Sequence, residues 1–532
     1  MSSGFILVLR GLRRAWFPAA IVFLYLYSFP YFEHIRSANE LPRIYLTQAM
    51  VERHAFDIGP ELAAYQPTPD TSQYKGKLYS NKAPGSSIVA IPGYAILSAI
   101  EGSRPKLSHL FFASRLAGST VPSLIFLLFV WRMLREVIPH RPSVQRLVFA
   151  AYALGSMAFI YGTLLFSHQL AAAFIGGSFF GIFLYARTRA GPWAPLWAGL
   201  AAGAAVLVDY QAAFVGPPLF VYLLVRAKPR IRSAALFSAG AALPLAFLLY
   251  YHWACFGSPF STGYEHLTNP VFAQWTSRGF LGLDTFELGR WVKRHFSPDE
   301  GLFYYSPFLL MAFPGLVLML RRRGFRAEAA FTGFVMVFFF YFIGALVLVS
   351  GWDVGPRYII VALPFYLMPV AVLFRGASRR WALMAFPAAL AVLSIGIYLA
   401  VGSIFPHFPG NFSDPLFDVT WRFGAAGYVS YNAGWLVGLK GLWSLIPYAV
   451  VALAVVFGAL CGVARGWRRV AIMGASLALV ALILFGYRGA LRWRQEPVPV
   501  KFLPWMDRIW EPRHPQMDKR ALFRQIGSKV RR

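Results

Sequence analysis

Three segments far apart in the chain hold the charged residues best suited to chemistry. Residues 37–43 place Glu40 three positions before Arg43, and a carboxylate there is suited to accept a proton from a hydroxyl. Lys82 precedes a Pro-Gly pair, and Arg357 follows a Gly-Pro pair. Either cation could neutralise a phosphate group. Together these residues predict proton transfer beside a bound phosphate.

Each of these residues also has a plainer interpretation. Glu40 and Arg43 could be a solvated charge pair at the edge of a membrane. Lys82 could lay its stem along lipid while its charge reaches water. Arg357 opens an apolar run at the end opposite to the basic clusters, which goes against the usual distribution of arginine and favours a functional role.

Further polar residues are candidates for lining the same pocket. His168 begins an apolar run and Asp209 ends one, so the first could be structural and the second could reach interfacial water. The pair Tyr304-Tyr305 is typical of an aromatic belt and could also line a lipid groove. No Cys/His spacing indicates a metal site, although Glu40 and Asp70 could share a divalent cation. The candidate pocket residues are Asp57, Asp70, Tyr79, His168, Tyr305, Asp353 and Tyr358.

The elements that must position these residues are membrane helices. Of the 532 residues, 58% are hydrophobic and 14% are charged, whereas soluble domains carry about a quarter charged residues. A helix needs about 20 apolar residues to cross the hydrocarbon core. The sequence predicts an all-α integral membrane protein of about thirteen spans, which start near Ala15, Ala113, Leu147, His168, Trp193, Gln211, Ala234, Ser306, Ala329, Tyr358, Trp381, Leu442 and Val470.

Basic clusters at every second junction between spans set the orientation. Seven such clusters hold 23 basic residues and one acid, Glu136. Lys and Arg in short loops stay cytoplasmic, so the N-terminus is predicted to be cytoplasmic. The net charge of +29 is then largely an orientation signal, which argues against nucleic acid as a partner.

The remaining organisation follows from this topology. Residues 1–487 form one membrane domain, and residues 488–532 form a basic tail. Residues 33–112 are a long first extracytoplasmic loop that carries interfacial helices, because the run 86–100 is too short to span. Residues 256–305 and 403–440 are further outer loops. Long loops on a rigid scaffold usually carry function.

These motifs resemble the superfamily of multi-span, lipid-carrier-dependent glycosyltransferases with the GT-C fold, which includes protein O-mannosyltransferases and the aminoarabinose transferases of lipid A. The first loop carries the family's acid and later its lysine, and further motifs follow. The matching positions are Glu40, Arg43, Tyr45, Ala49, Met50, Gly76, Tyr79, Lys82, Pro84, Arg115, Leu116, Arg357, Tyr358, Leu363 and Pro364. Two positions depart from the family pattern: Asn39 replaces one acid of an Asp-Glu pair, and His168 stands where relatives often have Asp.

The resemblance implies a reaction. A polyprenyl-phosphate sugar would bind through Lys82, Arg357 and Arg43. Glu40 would deprotonate an acceptor hydroxyl on the far side of the anomeric carbon, with inversion, and Asp70 and Asp57 are the alternative bases. The acceptor would be a glycan, lipid or protein at the outer face of a bacterial inner membrane. A transporter or lipid flippase is the alternative, and a membrane scaffold is a third. Charges at span ends rather than near the midplane favour the transferase.

Overall fold

The computed structural model describes residues 3–32, 39–187, 191–348, 352–378, 380–410, 412–425, 427–463 and 466–492. Within these ranges the chain is predominantly α-helical, as the sequence predicts. The predicted tail, residues 488–532, lies mostly outside the described part of the chain, which ends at residue 492.

Helices make up most of the chain, and several of them are short. In order they are α1 Ser3–Tyr27, α2 Leu41–Glu52, α3 Gly59–Ala64, α4 Gly85–Glu101, α5 Leu107–Arg115, α6 Val121–Val137, α7 Pro142–Leu154, α8 Met157–Thr163, α9 Ser167–Tyr185, α10 Ala194–Val208, α11 Gly216–Arg226, α12 Arg230–Phe256, α13 Pro270–Thr276, α14 Leu288–Phe296, α15 Leu302–Tyr305, α16 Ala312–Leu320, α17 Arg326–Ala345, α18 Leu363–Ala377, α19 Trp381–Ile404, α20 Arg422–Ala425, α21 Ala433–Leu436, α22 Ile446–Cys461 and α23 Trp467–Arg492.

Short segments of other types join some helices end to end. A π-helical segment, Leu116–Thr120, links α5 to α6, and together they form one continuous helix of 31 residues. The other segments are the 3₁₀ turns Tyr210–Phe214, Gly263–Glu265, Pro307–Met311, Arg323–Phe325, Arg357–Ala362 and Gly441–Leu445, and the π-helical Leu416–Trp421.

Two small antiparallel pairs of strands complete the described structure. Strand β1, Ser28–Phe29, pairs with β4, Tyr431–Asn432, and β2, Thr71–Tyr74, pairs with β3, Lys77–Ser80. The second pair is a hairpin whose two turn residues, Lys75 and Gly76, both have positive φ (46° and 78°). Such a turn matches the twist of the flanking strands and fixes their register. This hairpin was not predicted from the sequence.

Each predicted span has a helix at its place, but the predicted count of thirteen is not confirmed. Among the described residues, eight helices are long and apolar enough to cross a membrane, or nine if α7 and α8, which meet at a 54° bend, form one span. The apolar parts of α1, α4, α10 and α11 and the helix over 307–320 have 10–17 residues. With this many apolar helices the chain is a multi-pass membrane protein.

Close helix packing around α9, α10 and α12 holds the scaffold of the site together. A Cβ on Gly199 of α10 would come within 1.9 Å of the Phe237 carbonyl oxygen, and one on Gly240 of α12 within 2.1 Å of the Leu196 oxygen. Only glycine permits this approach, which is typical of membrane helix pairs. Helices α10 and α12 are thereby held in close contact.

Candidate active site

The β2–β3 hairpin brings an acid, an amide and a lysine together. Asp70 immediately precedes β2, and Asn81 and Lys82 immediately follow β3, so the register places them side by side. Asn81 Nδ2 donates to Asp70 Oδ1 at 3.0 Å, and Lys82 Nζ lies 3.0 Å from Asp70 Oδ2. The Lys82 side chain is 11% exposed. The hairpin therefore fixes a nearly buried cation at the start of α4.

Arg43 supplies a second cation from the first turns of α2. Pro42 stands in the first turn, where its missing N–H leaves no hydrogen bond unmade. Arg43 Nη2 donates to Ser167 Oγ at 3.0 Å, and Nη1 donates to the Asn39 carbonyl oxygen. Arg43 is 3% exposed, and within the described ranges it makes no ion pair with a carboxylate. Its Nε has no hydrogen-bond partner among the described residues.

A histidine–aspartate pair lies beside Arg43. Asp209 follows the last residue of α10, and His168 is in the first turn of α9. His168 Nδ1 is hydrogen-bonded to Asp209 Oδ2, which also accepts from Ser167 Oγ at 3.2 Å. Nδ1 as the donor leaves Nε2 as the nitrogen that can accept a proton. Nε2 has no hydrogen-bond partner in the part of the chain that the structure describes.

Arg357 supplies the third cation from the start of its 3₁₀ segment. Gly355 has φ +73°, which turns the chain so that Arg357 and Asp353 meet. Arg357 Nη1 lies 2.5 Å from Asp353 Oδ2, and Nη2 donates to Tyr358 Oη at 3.1 Å. The Tyr358 ring packs edge-on against His168 with ring centroids 5.2 Å apart. Arg357 is therefore joined to the histidine pair through Tyr358.

Tyr264 covers the cluster from the segment 256–305. Its 3₁₀ turn begins with a capping box between Thr262 and Glu265. Gly263 O accepts from Ser72 Oγ at 2.6 Å, which fixes the turn on the hairpin. Lys82 Nζ then lies 5.9 Å from the centre of the Tyr264 ring. This contact places an aromatic face over the lysine.

The electrostatics of these groups show that they form one cluster. Burial lowers the pKa of Lys82; the Asp70 carboxylate opposes this shift, and the positive charges of Arg43 and Arg357 add to it. Burial also lowers the pKa of Arg43, against the attraction of Asp70 and Asp209. The three cations act on one another although they lie up to several hundred positions apart in sequence. A bound anion would relieve this repulsion.

Glu40 lies beside the cluster but its carboxylate is committed elsewhere. It is fully buried, and its oxygens accept from Nε and Nη2 of Arg115, each at 2.7 Å. The backbone N–H of Leu165 also donates to it at 2.7 Å. Burial would raise the pKa of Glu40, but the attraction and hydrogen bonds of Arg115 outweigh it, and the pKa falls to about 2. A carboxylate this weak in basicity, with both oxygens bound, is not poised to accept a substrate proton.

Seven of the predicted site residues come together, and four do not. The cluster contains Arg43, Asp70, Lys82, His168, Asp353, Arg357 and Tyr358. The four outside the cluster are Glu40, Asp57, Tyr79 and Tyr305. Asp57 pairs with Arg53 at 3.3 Å, and Tyr79 packs against Phe256 with ring centroids 5.6 Å apart. Tyr305 donates to the Pro298 carbonyl oxygen at 2.6 Å, in a separate region.

The structure does not support the expectation that Glu40 and Asp70 share a divalent cation. Glu40 is bound by Arg115, while Asp70 is bound by Lys82 and Asn81. Within the described ranges, no three or more His, Cys, Asp or Glu side chains are grouped so that they could hold a metal ion.

Tyr264 and Ser167 belong to the site but were not predicted from the sequence, and Asp209 was predicted only to reach interfacial water. An acid that closes an apolar helix is itself a signal of function, because buried charges in membrane proteins are expensive. Tyr264 lies in the segment 256–305, which was predicted only as an outer loop. Ser167 carried no signal in the sequence, because its contacts come from two other helices.

No family model matches the sequence, and no curated protein sequence is similar to it. Several solved structures are similar in fold. ArnT from Cupriavidus metallidurans in the apo state has a TM-score of 0.46 at 17% identity, over 90% of this chain and 77% of that chain. The same protein bound to undecaprenyl phosphate gives 0.47 and 16% over the same shares. The apo Archaeoglobus fulgidus oligosaccharyltransferase gives 0.40 and 14%, over 80% and 58%.

These neighbours are lipid-dependent glycosyltransferases of the GT-C fold, the class that the sequence motifs resemble. At these identities and TM-scores the likeness is one of fold.

Proposed function

We propose that this chain is a membrane glycosyltransferase that moves a sugar from a polyprenyl-phosphate donor to an acceptor hydroxyl, with inversion. One observation carries the proposal: Arg43, Lys82 and Arg357, from three distant segments, converge in one buried cluster. Burying three cations together is costly; Asp70 and Asp353 offset the charges of Lys82 and Arg357, and a bound anion beside Arg43 would lower the cost further. A sugar phosphate on a lipid carrier is an anion that reaches a membrane protein at such a depth.

The cations have different parts in this reaction. Lys82 and Arg357 are each paired with a carboxylate, so their charges are partly neutralised before the donor binds. Arg43 makes no direct ion pair among the described residues, so of the three cations its guanidinium is the most available to the donor phosphate. As the glycosidic bond breaks, negative charge grows on the leaving phosphate. Cations already in place stabilise that charge most strongly.

The acceptor hydroxyl must lose a proton, and His168 is better placed than Glu40 to take it. His168 Nε2 accepts the proton, the hydroxyl oxygen bonds to the anomeric carbon, and the carrier phosphate departs with the electrons of the broken bond. Asp209 holds the imidazole through Nδ1 and offsets the positive charge that forms. Glu40 then serves as the structural partner of Arg115. Direct displacement from the face opposite the phosphate gives inversion.

The ends of the helices support one side of the membrane for the site. The cluster lies at the start of α9, the end of α10 and the start of the segment that leads into α18. The basic residues Arg135, Arg226 and Arg375 lie in the last turns of α6, α11 and α18. Basic ends stay cytoplasmic. This supports an extracytoplasmic site in an inner membrane.

The first experiment measures donor-phosphate binding, because it needs neither the sugar nor the acceptor. Undecaprenyl phosphate is titrated into the purified full-length chain and into Arg43→Met. We expect binding to weaken at least about tenfold, since a hydrogen bond to a charged group is worth about 1.5–3 kcal/mol. Arg43 is the clean choice, because its removal leaves no buried carboxylate unpaired.

Two controls isolate the phosphate. Undecaprenol, which lacks it, should bind the wild-type chain and Arg43→Met equally. Arg375→Met removes a partly buried arginine that donates to the Val137 carbonyl oxygen at the far end of α18, and it should bind undecaprenyl phosphate like wild type. Equal affinity of Arg43→Met and wild type for the phosphate would remove the basis of the proposal.

The second experiment measures transfer from a panel of polyprenyl-phosphate sugars to membrane lipids and glycans. His168→Asn should lose transfer while it retains undecaprenyl phosphate binding. The anomeric configuration of the product tests inversion. Movement of the carrier across liposomes, with no sugar transferred from any donor, would instead favour the flippase.

A further inference from the structure

A second candidate ligand site lies at the opposite ends of the helices that hold the cluster. A groove between α6, α9 and α10 encloses about 1290 Å³, which is more than the 300–1,000 Å³ typical of small-molecule pockets. Its walls are apolar and include Phe129, Phe174 and Trp197. Helix α9 has 19 residues and is therefore about 28 Å long, so the far end of the groove is separated from His168 by most of a bilayer.

Two glycines of α9 create the space. A Cβ on Gly181 would meet no atom within 4 Å, and one on Gly177 would meet only Phe126 Cδ2 at 3.9 Å. The neighbouring Gly176 is different, because its Cβ would lie 2.7 Å from Pro364. Close packing therefore explains Gly176 but not Gly177 and Gly181. Their small size keeps a channel along the helix open to lipid.

Among the described lining residues, the charged ones lie at the far end of the groove. Arg132 and Arg135 lie three positions apart and so share a face of α6. Both are exposed, and neither makes an ion pair or hydrogen bond with any residue in the described ranges. Glu136 also lines this end, so the two arginines and one glutamate leave one positive charge. His140 stands beside them and adds charge when it is protonated.

An apolar channel that ends in two arginines matches a lipid with an anionic head. We infer that the groove binds one anionic phospholipid, with an acyl chain along Gly177 and Gly181 and its phosphate between Arg132 and Arg135. A water-soluble anion has no use for the aromatic walls. A zwitterionic lipid carries its own cation, which the arginines repel. Basic pockets between membrane helices on the cytoplasmic side are where such head groups bind.

This site is independent of the sugar-transfer proposal, since it involves none of the cluster residues. It also differs from the general lipid shell around the protein, because it predicts a single retained molecule with head-group preference. The donor carrier is the other lipid that could enter, and the experiment distinguishes the two.

The test counts retained lipids on the full-length chain by native mass spectrometry. The chain is titrated with phosphatidylglycerol and with phosphatidylcholine of the same acyl chains. We expect one phosphatidylglycerol to be retained, with at least about tenfold higher affinity than phosphatidylcholine, because arginine–phosphate hydrogen bonds are charge-assisted. The double variants Gly177→Leu/Gly181→Leu and Arg132→Gln/Arg135→Gln should each lose that preference.

Matched variants outside the groove provide the controls. Ala246→Leu adds the same side chain to an exposed position of α12, and Arg232→Gln removes an exposed arginine near the start of that helix. Both should bind lipid like wild type. A photoreactive phosphatidylglycerol should also label Phe129 or Trp197 in the unmodified chain, which gives a measurement that does not depend on how the variants fold.

Three results would each overturn the inference. Equal retention of the two phospholipids would show a lipid shell without selectivity. Groove variants that bind like the controls would place the lipid elsewhere. Undecaprenyl phosphate is also added as a competitor of the bound phosphatidylglycerol. If it displaces that lipid at a lower concentration than added phosphatidylglycerol does, the groove belongs to the carrier.

Discussion

The ion pair between Glu40 and Arg115 gives the sharpest prediction, because a base and a structural partner respond differently to the same change. Glu40→Gln removes the charge from a fully buried carboxylate whose oxygens both face Arg115. Arg115 then remains buried, at 4% exposure, without its counter-charge. Breaking a buried ion pair on one side costs about 3–5 kcal/mol. We expect a loss of that size in the free energy of unfolding.

Replacing both partners should recover much of that loss. Apolar side chains of similar volume in place of a buried ion pair are often neutral or stabilising. In Glu40→Gln/Arg115→Met the side-chain oxygen at position 40 can still accept from the Leu165 N–H, which donates to Glu40 at 2.7 Å. The remaining cost comes from the Pro30 carbonyl oxygen, which loses the hydrogen bond that Arg115 Nη1 donates at 3.0 Å. An unsatisfied buried acceptor costs about 1–3 kcal/mol. The double variant should therefore be more stable than Glu40→Gln.

The assay is unfolding in mixed detergent micelles, with transfer activity measured on the same preparations. If Glu40 is structural, the double variant regains activity along with stability. If Glu40 is the base, no second substitution can restore transfer. Wild-type stability in Glu40→Gln together with complete loss of transfer would refute the structural assignment and return the base role to Glu40.

The pH dependence offers an independent check on the same pair. The pKa of Glu40 is lowered from 4.5 to about 2, so its stabilising contribution is complete above pH 4.5 and is lost as the pH falls towards 2. The stability difference between wild type and Glu40→Gln should shrink across that window. A difference that stays constant down to pH 2 would contradict the lowered pKa.

The remaining predictions concern positions around the site. Gly85→Val should weaken undecaprenyl phosphate binding, because even a Cβ there would lie 2.6 Å from Val208 and push Lys82 away from the end of α10; unchanged binding would contradict this packing. Gly76→Val forces a positive φ on a branched residue at a cost of about 1–2 kcal/mol, and a lower melting temperature would report the strained hairpin. Burial raises the pKa of Asp414 to about 7, so wild type loses stability as the pH rises from about 4 to 7. In thermal unfolding, the stability of Asp414→Asn should match that of wild type near pH 4. At pH 8 it should exceed that of wild type by up to about 4 kcal/mol, because each unit of pKa shift corresponds to about 1.4 kcal/mol.

The sequence predicted the helical fold well, because apolar length is a direct requirement of the bilayer. Each expected span coincides with a helix, yet several of these helices are shorter than a bilayer needs. The ends of a run of apolar residues do not show where a helix ends, because glycine, proline or a polar contact can end it earlier. Helices α7 and α8 are an example, because one apolar stretch is divided there by a bend.

The sequence predicted which residues belong to the candidate site better than it predicted the contacts between them. Lys82 and Asp70 were both expected, but only the register of the hairpin shows that they form an ion pair. Glu40 has Arg43 three positions away, so local spacing suggests that pair. The actual partner, Arg115, lies 75 positions away, because α2 packs against α5. Contacts of this kind depend on packing, which one sequence does not reveal.

The 31-residue helix made by α5, the π segment and α6 has a mechanical consequence. At about 1.5 Å per residue it is about 46 Å long, whereas the hydrocarbon core is about 30 Å thick. Arg115, which holds Glu40 and α2, and Arg132, which ends the lipid groove, are 17 positions apart on this one rod. Their separation is therefore constant, and a thinner or thicker bilayer changes the tilt of the rod instead. Lipid tail length should thus alter how easily a carrier enters from the membrane, while the spacing between the two ends of the protein stays the same.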